Sequence, residues 1–342
     1  MKKSIYKKNV RKKKTTDKRI TKKQIKKNSI YINKYVIKII KFISLIIFVY
    51  FHYFCNNYIK NKLNYYYTKR LETIKIYRRH YDETNLITFE DKINWLAIHD
   101  VRKLKGKCAD KILLHEYSKR ILKKDICNKI LKIYDNPEQI DISELPEQFV
   151  LKTNHGSTFN IIVHNKSELN VEEAKSTLSK WLQIDYGKKG SEFHYSFIKR
   201  KVFAEEYIGK NLNNYKFLCY DGVPRTVFIY KKVDGKEYRT FFDMEWNRLY
   251  NYNCVTPPHP TDYYPKPKNF ELMKKYASKL SRPFKLVRVD LYDHEGEVRL
   301  GEMTFLPMNS QFICKDQEHN IELGKYIRIP NNQIKKKKFI FF

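Results

Sequence analysis

A chain of 342 residues with 42% hydrophobic and 15% aromatic positions can bury a sizeable core, which excludes a mainly disordered protein. Its formal charge of +32 invites nucleic-acid binding, yet residues 1–35 carry 15 Lys or Arg against the single acid Asp17, a net +14 that leaves +18 for everything after them. Nearly half of the signal is therefore a basic head; no nucleic-acid module is recognisable, and nucleic acid is not an expected partner.

Residues 36–55, VIKIIKFISLIIFVYFHYFC, form an apolar segment interrupted by Lys41, Ser44 and His52, against the roughly 20 mostly apolar residues of a comfortable membrane span. Basic residues on both flanks, including Lys60, Lys62, Lys69 and Arg70, weaken the asymmetry that would orient a span. A single span with the head inside would export the rest of the chain. An interfacial helix or a returning hairpin avoids this and adds attraction to anionic lipid. The segment could thus cross a bilayer, lie at its surface or serve as a buried helix; the expectation is a cytoplasmic protein, with 36–55 as its means of attachment if it meets the inner face of an anionic membrane, and a basic connector over 56–84.

Order begins near residue 85. In TFEDKINWLAIHD, Thr88 stands three residues before Asp91, a helix start with an acidic first turn and Phe89, Trp95 and Leu96 as packing face. Recurrence of Ile112, Leu113, Tyr117 and Ile121 predicts further helix over about 111–133, and Pro137 and Pro146 bracket a turn-rich connector. Strands are expected at the apolar runs ending in Lys152 and spanning Phe159 to Val163, a pair resembling a hairpin closing over a ligand. Asn170 followed by Glu173 opens a helix running to Gly187 and Gly190.

Strands follow at 202–207, 215–220 and 225–231, the last two joined by Asp221-Gly222, a hairpin signal, with another turn at Asp234-Gly235. Five prolines make 254–268 an extended connector. A helix at about 270–281 precedes a hairpin of 286–292 and 297–305 turned at 293–296, and a basic-then-apolar tail closes the chain over 331–342. Alternating short strands and isolated helices indicate an α+β enzyme. Cys55, Cys108, Cys127, Cys219, Cys254 and Cys314 are scattered without a CxxC pair and read as free thiols. His80, His99 and His115 read as surface or packing residues rather than metal ligands.

The chemistry is carried by an ordered set of motifs. FVLKTNHGS puts Lys152 near the end of a strand and a polar loop of His155, Gly156 and Ser157 directly after it, which suits an anion. His155 has two readings, phosphate contact or shaping of the loop. VFAEEYIG places Glu205 and Glu206 after an apolar start, and NYKFLCYDG places Lys216 opposite Tyr215 and Phe217. In LVRVDLY, Arg288 and Asp290 share the face away from Val287, Val289 and Leu291. In LGEMTFLP, Glu302 and Thr304 share the face away from Met303 and Phe305. A hairpin would bring Asp290 and Glu302 together as a pair of hard oxygen ligands.

TFEDKINWL, LPEQFVLKTNHGS, FAEEYIG, NYKFLCYDG, VRVDLY and GEMTFLP, in that order over about 85–330, resemble the TupA-like branch of the ATP-grasp superfamily. The resemblance implies an ATP-grasp fold, two α+β lobes holding ATP between antiparallel sheets. It implies that Lys152 and Lys216 contact phosphates or the adenine-side pocket, that 153–158 is the phosphate loop, and that Glu205 or Glu206 lies at the adenine and ribose edge. Asp290 and Glu302 correspond to Mg²⁺ ligands, and Arg288 faces the transferred phosphate or the acceptor. Where the family commonly has asparagine two residues after the second metal acid, this chain has Thr304; after Pro307 it reads MNSQ, with Asn309 as a substitute ligand.

The implied chemistry is carboxylate–amine ligation through an acylphosphate, in cell-surface polysaccharide or teichuronopeptide synthesis on an amino-acid or uronic-acid substrate. Two alternatives stay open. A glycosyltransferase could use Asp290 and Asp293, although DLYD is not the compact DxD arrangement, and a non-catalytic ATP-binding protein would keep the site without the reaction.

Overall fold

The computed structural model describes residues 36–37, 39–48, 50, 84–190, 192–209, 212–250, 263–307 and 316–329. The expectations for the head at 1–35, most of the 56–84 connector, the first part of the proline-rich connector, Asn309 and the tail at 331–342 lie outside the described residues. The chain divides into two units, Met1–Tyr65 and Tyr66–Phe342. In the first, the described positions between 36 and 50 are helical and exposed. Among the described residues no helix is long and apolar enough to cross a membrane.

The second unit begins with helices α1 (Phe89–His99), α2 (Lys103–Ala109) and α3 (Leu113–Leu122). Thr88 caps α1 as its sequence predicts: its hydroxyl accepts from the Asp91 amide at 3.1 Å while the Asp91 carboxylate accepts from the Thr88 amide at 3.1 Å. The helix expected over 111–133 stops at Leu122, where Lys123 turns left-handed at φ +62° and reverses the chain. Residues 130–134 form instead a strand, β1 (Ile130–Tyr134), because their backbone pairs with a later strand rather than with its own preceding turn.

β2 (Phe149–Thr153) and β3 (Asn160–Val163) make the anticipated hairpin, and α4 (Val171–Gln183) starts at the Asn170 cap. α4 ends before the predicted glycines, as Ile184 is extended, and the short α5 (Tyr186–Gly190) follows. Together with β4 (Val202–Glu206), strands β1 to β3 form a four-stranded antiparallel sheet in the order β1-β4-β2-β3. Its Phe149, Leu151, Val202 and Ala204 face packs on Ala174 and Leu178 of α4.

The remaining strands are β5 (Asn214–Tyr220), β6 (Val223–Val233), β7 (Lys236–Phe242), β8 (Leu286–His294) and β9 (Glu297–Thr304). They form a five-stranded antiparallel sheet in the order β7-β6-β5-β8-β9. The predicted turns have the positive dihedrals that match strand twist: Asp221 and Gly222 at φ +47° and +81°, Asp234 and Gly235 at +48° and +79°. The last hairpin turns at Glu295-Gly296, inside the expected 293–296 window.

This sheet is covered on both faces. Tyr215, Phe217, Val287, Val289, Leu291 and Met303 pack against Phe270, Met273 and Ala277 of α6 (Phe270–Ser281). On the opposite face, Leu218, Tyr220, Phe228, Phe241 and Leu286 pack against α1 and against Leu323 of α7 (Gln317–Lys325). One end of that second face is left to charged residues.

Candidate active site

The charged end is fixed by strand register. Lys216 on β5 stands opposite Asp290 on β8, which stands opposite Glu302 on β9, and Arg288 stands opposite Thr304, so all five share one face. Gly301 is the extra residue of a bulge, since Leu291 pairs with Leu300 whereas Asp290 pairs with Glu302. A side chain there would reach within 2.5 Å of the Tyr292 ring, so the bulge needs glycine.

Arg288 clamps both acids. Its Nε donates to Asp290 Oδ1 at 2.7 Å, and its Nη2 donates to Asp290 Oδ2 at 2.8 Å and to Glu302 Oε1 at 2.6 Å. Lys216 pairs with the same Asp290 carboxylate, which is fully buried. Thr304 donates its hydroxyl to Glu302 Oε1 at 3.3 Å. Burial works against the charge of Glu302, but Arg288, Lys216 and Lys111 outweigh it and hold the carboxyl at about 2. Burial likewise works against the Arg288 charge, and Asp290 with Glu302 reverses the effect, so its guanidinium is held above its usual range.

The four-stranded sheet contributes a second pair. Lys152 lies opposite Phe203, and Val150 opposite Glu205, which puts Lys152 and Glu205 on the face turned away from the α4 core. The two form an ion pair. Glu206 points to the other face, where its carboxylate accepts from the Lys129 amide at 2.7 Å. Of the two adjacent acids, only Glu205 joins the lysine.

The loop after β2 is tightly shaped. Gly156 has φ +78°, and a Cβ there would lie 2.8 Å from the Tyr186 ring and 2.9 Å from that of Phe159. Thr158 is left-handed at φ +64°, an uncommon conformation for a β-branched residue and one that costs energy. His155 is only 1% exposed; its Nε2 meets the Ile184 carbonyl at 3.1 Å and its ring stands edge-on to Phe159. Burial lowers its pKa to about 4, so the ring is neutral at pH 7. Ser157 is exposed.

Asn154 anchors the base of this loop. Its amide nitrogen donates to Asp110 Oδ2 at 2.9 Å and to the Lys199 carbonyl at 3.0 Å, and its oxygen accepts from the Lys201 amide at 2.8 Å. Lys111, absent from the sequence-derived set, completes the arrangement by donating from Nζ to the Gly156 carbonyl at 2.7 Å. Burial lowers its pKa first, with Glu302, Lys152 and Glu205 all close enough to act on it. Lys111 thus lies in the field of both sheets. Four cations, Lys111, Lys152, Lys216 and Arg288, face three carboxylates, Glu205, Asp290 and Glu302, an excess suited to a polyanion.

The model of the TupA-like ATP-grasp family matches residues 91–328, more than half of the chain. The chain belongs to the TupA-like ATP-grasp family. Its α+β architecture of antiparallel sheets is that of the ATP-grasp fold. Among solved structures it is similar to a D-alanine–D-alanine ligase from Bacillus anthracis, at 18% identity and a TM-score of 0.42 over 68% of this chain and 69% of that one. It is also similar to an N5-carboxyaminoimidazole synthase from Aspergillus clavatus, solved with ADP and 5-aminoimidazole ribonucleotide, at 12% identity and a TM-score of 0.37 over 70% of this chain and 55% of that one. Curated proteins give no match.

Proposed function

We propose that this ATP-grasp protein is a ligase that joins a carboxylate to an amine in an ATP- and Mg²⁺-dependent reaction through an acylphosphate. The observation that carries the reading is the placement of Lys111. It is bonded to the loop after β2 and lies within the field of Glu302 on one sheet and of Lys152 and Glu205 on the other, which supports a reading in which both charged clusters act on one ligand.

The residues fit a divalent cation by donor chemistry. Asp290 and Glu302 supply carboxylate oxygens from directly opposed positions, the hard donors that Mg²⁺ takes. They would hold the ion, and its chemistry is to offset charge on phosphate oxygens. Arg288 and Lys216 already compensate Asp290, so loading requires them to share or yield its oxygens. Asn309, expected as a further ligand, lies outside the described residues.

In the proposed reaction a substrate carboxylate oxygen attacks the γ-phosphorus and the bond to the β,γ-bridging oxygen breaks, releasing ADP. The amine then attacks the acyl carbon; inorganic phosphate departs and the nitrogen loses a proton. Lys111, Lys152 and Lys216 hold phosphate oxygens, while Arg288 stabilises the charge that develops on the transferred group. Glu205 binds at the adenine and ribose edge. The buried neutral ring of His155 supports the reading in which it shapes the loop. Gly156 lets backbone amides approach the phosphates, and Ser157 offers an exposed hydroxyl.

The substrate class proposed is an amino-acid or uronic-acid group on a cell-surface polysaccharide or teichuronopeptide precursor. The enzyme would act on the cytoplasmic side, with 36–55 against an anionic membrane. Incubation with ATP, Mg²⁺, candidate carboxylates and hydroxylamine tests the chemistry, since an acylphosphate is trapped as a hydroxamate. ATP binding without ADP formation for any carboxylate would instead favour a non-catalytic nucleotide-binding protein. Unchanged ATP affinity in Lys152→Ala would remove the assigned site.

A further inference from the structure

A second cluster of metal-ligating side chains lies outside the site described above. His115 sits in the first turn of α3, and Asp125 and Cys127 follow the reversal at Lys123. That reversal is held by Ser118, whose hydroxyl accepts from the Ile126 amide at 3.2 Å, and it carries the chain back along the helix to His115. Asp125 Oδ1 accepts from the Cys127 amide at 3.0 Å, an Asx turn that aims the other oxygen at His115 Nδ1, 2.8 Å away. One ligand atom from each of His115, Asp125 and Cys127 lies within 4.8 Å of the other two.

We infer that His115, Asp125 and Cys127 form a second cation site, separate from Asp290 and Glu302, that takes a borderline-soft divalent metal of the Zn²⁺ class. Imidazole nitrogen, thiolate sulfur and carboxylate oxygen are the donors such an ion accepts, and three of them leave a fourth position for water. Mg²⁺ has no use for the sulfur, so the two sites divide by ligand softness. The surroundings suit the geometry: Cys127 is 8% exposed and fixed by its backbone, whereas His115 and Asp125 are partly open to solvent and give an ion its way in. On binding, the Cys127 thiol proton leaves to solvent, Asp125 Oδ2 exchanges His115 for the metal, and the His115 nitrogen that ligates does so unprotonated, with the ring proton on its other nitrogen.

The location gives the site a role. Cys127 bridges in parallel to Leu300 on β9, whose amide donates to the Ile126 carbonyl at 2.7 Å, beside Gly301 and Glu302. Two residues later Lys129 accepts from the Glu206 amide at 2.9 Å. A metal here would therefore stiffen a segment joined to both sheets, next to Glu302 and Glu205.

The test uses the full chain, reduced and treated with chelator, then titrated with Co²⁺ as a spectroscopic substitute for Zn²⁺. The expected result is one equivalent giving a thiolate-to-cobalt charge-transfer band, displaced by Zn²⁺, abolished in Cys127→Ser and retained in Asp290→Asn. Affinity should fall at least about tenfold in His115→Gln, a partly exposed position that keeps the test available if Cys127→Ser does not fold. Absence of the band, or a band that survives both Cys127→Ser and His115→Gln in chains with unchanged circular dichroism, would overturn the proposal.

Discussion

Both sheets present a lysine–carboxylate pair on one face, but they support it differently. Lys216 and Asp290 lie at the charged end of a sheet with apolar clusters on both sides, and Arg288 adds three hydrogen bonds to the same group of acids. Lys152 and Glu205 lie on the face away from the α4 core, with the pair itself as their main support and a loop of unusual backbone next to it. Charges in the larger sheet are therefore part of the fold as well as of the chemistry. Those in the smaller sheet are left more fully to the ligand.

The sharpest test of that difference is Arg288→Ala. It leaves Asp290, fully buried, and Glu302 without their shared clamp, a loss of about 3–5 kcal/mol, read as a lowered denaturant midpoint. Lys152→Ala should cost about 1 kcal/mol in the same measurement, because its pair is partly solvated, while weakening nucleotide affinity by at least about tenfold in calorimetry. Equal destabilisation by the two variants would break the contrast.

A pH series comes next. His155 in the smaller sheet's loop and His194, edge-on to Phe305 below the larger sheet, are both lowered chiefly by burial, to about 4 and about 3. Both folded values lie below the ordinary histidine value of about 6.5, so the unfolded chain takes up the protons first. The stability they contribute is present above pH 6.5 and is lost as pH falls toward 4 and then 3. The denaturant midpoint should thus drop between pH 7 and 5, and His155→Gln should flatten part of that slope; an unaltered slope would contradict the neutral buried ring.

The smaller effects probe the loop. Gly156→Ala forces a Cβ onto Tyr186 and Phe159 in a left-handed position and should cost about 1–2 kcal/mol with a parallel loss of ATP affinity. Thr158→Gly relieves the opposite problem and should stabilise the apo chain by up to about 1 kcal/mol while weakening nucleotide binding. If its stability and affinity rise together, the strain at Thr158 does not serve the site.

Strand alternation made the polar face of the last hairpin readable, because Val287, Val289, Leu291 and Met303 are apolar at the core-facing positions. The capping pairs and the Asp-Gly turns were also legible, as their chemistry is local. β1 was not, since the five residues of Ile130–Tyr134 look as helical as what precedes them and their pairing to β4 is long-range. β7 and α7 were missed as well, although the Asp234-Gly235 turn precedes the one and an Asp316 cap, which accepts from the Glu318 and His319 amides, opens the other. Lys111 carried no signal at all: in a chain this rich in lysine, only its bond to Gly156 sets it apart.

The Asn154 hub bears on how the protein ages. Every hydrogen-bonding atom of that side chain is engaged, which holds its amide away from the backbone nitrogen of His155 and so slows deamidation. If the amide were hydrolysed, a carboxylate would replace a donor and stand against Asp110, its partner at 2.9 Å. The loop would lose its anchor through a change of one mass unit, with no residue removed and no fold-wide disruption needed.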